Sequence, residues 1–180
     1  MTLPEPTNHW LPNLYTEAMT CPDLWQGPIK KELAVMHKRE VWKVIDAPLD
    51  VCLIKTCWTS AEKYDGDGKL NAWKAQLIAK GFTQIPGVDF YESYASIVQY
   101  ESLCMNLAVA AAKNMEAWQI DYVAAYLNAK PQAMVHIELP EGAEVKGKVG
   151  LLQKSLYGTM DRAANWWKTL DEDMKELDYC

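Results

Sequence analysis

The chain has 180 residues, 49% hydrophobic and 23% charged, a length and balance that suit one globular domain and exclude a disordered tract or two complete domains. The formal charge of -6 argues against a protein that holds nucleic acid by bulk charge, because such binding depends on Lys and Arg neutralising phosphates. The charge is uneven, and residues 30–81 carry ten basic against seven acidic side chains, so any polyanion contact is expected there.

Residues 1–22 contain four prolines and no periodicity and read as an extended lead-in. A helix is expected from near Asp23, with Pro28 tolerated only in its first turn and Ile29, Leu33 and Met36 on a core stripe. Two strand-like runs, VWKVI and VCLI, flank Ala47-Pro48-Leu49-Asp50 and predict a hairpin. Tyr64 to Gly68 is a second turn signal; Leu70 to Leu77 lacks the acid that would make it a calcium loop.

Farther along, Tyr100 to Lys113 predicts a helix buried on one side through Leu103, Leu107, Ala110 and Ala111, with Asn114 as its stop. Trp118 to Ile120 predicts a buried strand ending at Asp121. A carboxylate there suits either chemistry or the cap of the next turn, and the pattern leaves both open. A short helical stretch follows to Asn128, then strands VHIEL and VGLL. Asp161 is placed to cap a last helix with an apolar stripe of Ala163, Trp166, Trp167, Leu170, Met174 and Leu177.

The eight Trp and nine Tyr suit a core or base stacking equally. Cys21, Cys52, Cys57, Cys104 and Cys180 form no C-x-x-C pair and predict reduced, mostly buried thiols in an intracellular protein, cytoplasmic or nuclear rather than secreted. His9, His37 and His136 are too dispersed for a zinc site. The opening residues have no signal-peptide pattern, and the run Leu107 to Ala112 falls short of the ~18 residues that span a bilayer, so no membrane role is expected.

Several blocks, in fixed order from about Trp25 to Tyr179, resemble the reverse transcriptase domain of copia-type retrotransposons. VWKVIDAP is similar to that family's TWELVPLP. KAQLIAKGFTQIPGVDFYESYASIV, after Trp58, Lys63 and Asp67-Gly68, resembles its KARLVAKGF block. QIDYVAAYLNA resembles QMDVKTAFLNG, LPEG its PxGF loop, and LQKSLYGTMDRAANWW its KSLYGLKQ block. The resemblance implies an α+β fold, the fingers (about 23–98) and first half of the palm (about 99–180) of a right-hand polymerase, with helices on a small, mainly antiparallel sheet.

It also implies RNA-directed DNA synthesis with RNA template, DNA primer and dNTP as partners, by two Mg²⁺ ions about 3.5 to 4 Å apart. Asp121 would be the first metal carboxylate, with the Tyr122 carbonyl a further ligand. Tyr126 would lie under the incoming sugar, Lys74 and Gln76 near the triphosphate, and Lys80 along the template. The plainer alternatives are a capping Asp121, a core Tyr126, a solvated Lys74, and Trp166 and Trp167 as packing. Five positions depart from the family: the Arg of its KARL block is Gln76, and its fingers Lys is Cys57. Its Pro is Ser96, and the Lys-Gln after YGL is Met160-Asp161. No Asp-Asp pair occurs in these residues, so the Tyr-x-Asp-Asp segment is absent and the chain is expected to be inactive alone. Apolar palm surface and a sheet edge are expected to stay uncovered and favour self-association. A nucleic-acid-binding or protein-interaction module derived from such a domain is the alternative.

Overall fold

The computed structural model describes residues 11–49 and 51–178. In chain order its elements are α1 (Tyr15–Ala18), α2 (Pro22–Lys38), β1 (Trp42–Asp46), β2 (Leu53–Ile54), β3 (Thr56–Tyr64) and β4 (Leu70–Ala79). There follow α3 (Tyr100–Ala112), β5 (His136–Ile137), β6 (Lys148–Leu152) and α4 (Arg162–Glu176). Short 3-10 turns lie at Gly81–Thr83 and Ala125–Asn128. The chain is thus mixed α and β, with small, mostly antiparallel sheets.

α1 forms where an extended lead-in was expected. Glu17 Oε2 accepts the Asn13 backbone N–H at 2.9 Å, and Ala18 is buried. Residues 1–10 of that stretch lie outside the described residues. α2 buries Trp25, Ile29 and Met36 on one face. Pro28 falls inside the helix rather than in its first turn. Its ring removes the donor that the Leu24 carbonyl would accept, and Leu24 is exposed, so water can take that role.

The expected hairpin of residues 41–54 does not form. β1 pairs antiparallel with β6, Trp42 opposite Leu152, and β2 runs parallel to β5, which gives the order β1-β6-β5-β2. The link through Pro48 is not one of the tight turns that fold a strand back on itself, whereas β6 offers β1 the buried Val149 and Leu152. The turn signal at 64–68 does close a hairpin. β3 and β4 pair antiparallel, Asp65 Oδ1 accepts the N–H groups of Asp67 (3.1 Å) and Lys69 (2.9 Å), and Gly68 takes φ 78°.

One core joins α2, β4 and the sheet: Trp25, Ile29, Met36, Ile54, Trp58, Leu77, Val135, Ile137, Leu152 and Leu156. A close backbone crossing locks the end of β4 to the turn after Leu156. Ala79 N–H donates to Tyr157 O at 2.7 Å, and both chains are glycine at the crossing, Gly81 and Gly158.

Residues 91–123 depart most from expectation. α3 forms and ends at Asn114 (φ 52°), but none of its residues is buried; Leu103 and Leu107 are exposed. Trp118 and Ile120 stand 85% and 74% exposed on irregular chain instead of in a strand. A strand needs a hydrogen-bonding neighbour, and among the described residues none pairs with this stretch.

α4 buries Ala164 and Asn165 near its start, while Trp167 and Leu177 of the expected stripe are exposed. Asp161 makes no capping bond. It is 1% exposed, and its Oδ2 accepts Asn165 Nδ2 (2.7 Å) and Gln132 N–H (3.3 Å). Through Gln132, whose Oε1 accepts the Tyr91 and Glu92 N–H groups, this buried network reaches residues 91–92. Nor are the thiols mostly buried: Cys21, Cys52 and Cys104 are exposed and Cys57 is half-buried, with Cys180 outside the described residues. No described helix is long and apolar enough to cross a membrane.

Candidate nucleotide cleft

Strand periodicity builds one wall of a cleft. Along β4, Ala75, Leu77 and Ala79 point into the core, which leaves Lys74 and Gln76 together on the opposite face. Lys74 Nζ donates to Gln76 Oε1 at 3.1 Å. Gln76 thus supplies Lys74 with a neutral acceptor.

The cleft, about 370 Å³, runs from these side chains past Lys31, Glu32 and Val35 of α2 to Val123, Ala124, Leu127 and Tyr157. Arg39, at the end of α2, holds the far wall in place. Its guanidinium donates to Asn128 Oδ1 and, at 3.1 Å, to Val123 O. Lys154 Nζ adds a bond to Asn128 O at 3.3 Å. Tyr126 lies edge-on to Tyr157 (5.6 Å between centroids), with the Arg162 guanidinium 5.7 Å from its ring centre.

The residues singled out from the sequence therefore divide. Lys74 and Gln76 line the cleft, and Tyr126 packs against Tyr157, which lines it. Lys80 does not: it faces a separate cleft with Tyr15, Trp58 and Glu141. Asp121 is exposed on irregular chain two residues before the cleft wall. Tyr122 stacks edge-on against Trp166 at 4.9 Å, which makes Trp166 packing, as its helical spacing suggests. Among the described residues no three His, Cys, Asp or Glu side chains lie close enough to hold a metal. Asp121 with one carbonyl does not meet the six-oxygen demand of Mg²⁺.

Glu32 was missed by sequence reasoning, as was any role for Tyr157 beyond its LYG block. The only signal for Glu32 was its position three residues after Ile29, beside the core stripe. Its carboxylate accepts the Leu77 N–H at 3.3 Å and satisfies a donor on the outer edge of β4. Burial raises its pKa above the ordinary 4.5, against the lowering effects of the Leu77 N–H and Lys74. Burial, then the Glu32 charge, raises that of Tyr157.

A folded-state carboxylic acid held above its unfolded pKa favours folding below the unfolded value and loses that contribution as pH rises through the folded one. Glu32→Gln, which keeps an acceptor for Leu77, is expected to flatten this part of the profile. Urea midpoints from pH 4.5 upward should decline more steeply for the native chain than for the variant, and parallel profiles would refute the assignment. Lys74 and Tyr157, which interact with this carboxylate, and Lys31 and Lys63 of the same cleft are unchanged in the comparison.

The family model described as reverse transcriptase (RNA-dependent DNA polymerase) matches residues 39–180. The chain is 34% identical over 154 residues to the retrovirus-related Pol polyprotein from transposon TNT 1-94 of Nicotiana tabacum, covering 84% of this chain and 12% of that protein. It is 29% identical to the polyprotein from transposon RE1 of Arabidopsis thaliana, over 81% of this chain and 10% of that one. It is 33% identical over 99 residues to the transposon Ty1-BL Gag-Pol polyprotein of Saccharomyces cerevisiae, over 54% of this chain and 6% of that one. No solved structure matches. The chain spans about an eighth of the tobacco polyprotein, and with the reverse transcriptase model matched over most of its length it belongs to the reverse transcriptase family, as part of the Pol polyprotein of a copia-type retrotransposon.

Proposed function

We propose that these residues form the nucleotide-facing fingers and the first half of the palm of an RNA-directed DNA polymerase, and that they do not join nucleotides by themselves. The cleft carries this reading. Its lining joins Lys74 and Gln76 of β4 to Val123, Ala124 and Leu127, which follow Asp121, and to aromatic Tyr157. A lysine beside an aromatic wall suits the phosphates and the sugar or base of a dNTP. The remaining metal carboxylates would come from polyprotein residues outside the 180.

In-line nucleotidyl transfer needs two metal ions to stabilise the attacking and leaving oxygens. One exposed carboxylate cannot hold them, and the developing charge stays uncompensated. Primer extension on an RNA template with Mg²⁺ is therefore expected to yield no product above background. Template-dependent synthesis that disappears in Asp121→Ala would overturn the claim of inactivity.

A further inference from the structure

We propose that Glu32 sets the anion affinity of the cleft by competing with an incoming polyphosphate for the positive field of Lys74. The inference rests on the reading of the cleft as a triphosphate subsite and adds to it a residue that determines how strongly such a ligand is held.

The lining contains three lysines, Lys31, Lys63 and Lys74, and one carboxylate, Glu32. That carboxylate is not a mobile surface group. Its bond to the Leu77 N–H fixes it against β4, the strand that carries Lys74 and Gln76. Leu77 is fully buried, so releasing Glu32 would strand a buried donor. Glu32 therefore stays in place when a ligand enters. Lys74 forms no ion pair with it; the ammonium is bonded to the neutral Gln76 oxygen. The two charges interact through space, in a half-buried position where water screens them incompletely. A phosphate that approaches Lys74 consequently meets the repulsion of a fixed negative charge in the same cleft.

Removing that charge without removing the acceptor isolates the effect. Tripolyphosphate, the probe, is titrated calorimetrically at low salt into the full chain and its variants. Glu32→Gln is expected to bind it tighter by about 3- to 30-fold, the range for one unit charge several ångströms away at intermediate dielectric. Lys74→Met is expected to weaken binding about tenfold, and the gain from Glu32→Gln should shrink in the Lys74→Met background. Glu32→Met, uncharged and of similar length, should shift affinity in the same direction as Gln if charge is the cause. Near-ultraviolet circular dichroism reports whether each variant keeps its packing.

If Lys74→Met weakens binding while both Glu32 variants leave it unchanged or weaker, the role given to Glu32 is wrong and the subsite reading stands. If the native chain does not bind, or Lys74→Met binds as the native chain does, the subsite reading itself fails and Glu32 with it.

Discussion

Gly158→Ala is expected to abolish cooperative folding. Gly158 has φ 90°, and an added methyl would overlap the Ala79 carbonyl oxygen and Ile78 Cγ2. Neither can yield cheaply: Ala79 is the last residue of β4, and its N–H is bonded to Tyr157 O at 2.7 Å. Left-handed backbone costs about 1–2 kcal/mol for a non-glycine residue, and forcing atoms into a packed core adds about 1–3 kcal/mol or more. Together these come to about 2–5 kcal/mol or more, enough to unfold a domain at the low end of the usual about 5–15 kcal/mol.

Gly147→Ala is the matched control. Gly147 also has positive φ, 73°, yet nothing lies within 4 Å of where its methyl would sit. It should cost only the backbone term, about 1–2 kcal/mol. Thermal melts that place Gly158→Ala beside Gly147→Ala would show that the crossing is looser than described. Because the same crossing sets β4 against Tyr157, the variant should lose the cleft together with the fold.

Trp25→Ala is expected to cost about 3–5 kcal/mol. Trp25 has no exposed surface, and its ring meets Trp73 of β4 edge-on at 5.1 Å. Truncation empties the contact between α2 and β4 and so releases the helix that carries Glu32. Trp25→Phe should cost less, about 1–2 kcal/mol, because Trp25 Nε1 has no hydrogen-bond partner and the smaller ring forfeits none. Urea unfolding of the two variants tests this; a Trp25→Ala loss below that of Trp25→Phe would contradict it.

Local signals in the sequence were good guides where chemistry and neighbours agreed. The helix with Ile29 and Met36 on its core face, the acidic turn at 65–68, the extent of α3 up to Asn114 though not its burial, and the start of α4 form as read. Pairing was another matter. The VWKVI and VCLI runs were strands but not each other's partners, because β1 found its apolar neighbour about a hundred residues away in β6. Asp161 looked like a cap and instead anchors the buried Gln132–Asn165 network. Of the residues the ordered blocks pointed to, Lys74 and Gln76 line the candidate cleft and Tyr126 packs beside it. Lys80 went to another cleft, and Asp121 to exposed chain in place of a strand end.

Ordered blocks of side chains were enough to identify the family, and the repeat of apolar residues along helix and strand to identify the type of most elements. Which strands pair, that Glu32 reaches β4 beside Lys74, and that two glycines let the backbones cross beside Tyr157 emerge from the folded chain alone. Periodicity states which face of an element is apolar, but not what will cover it. Covering depends on contacts between distant residues, and a single chain of letters carries no measure of those.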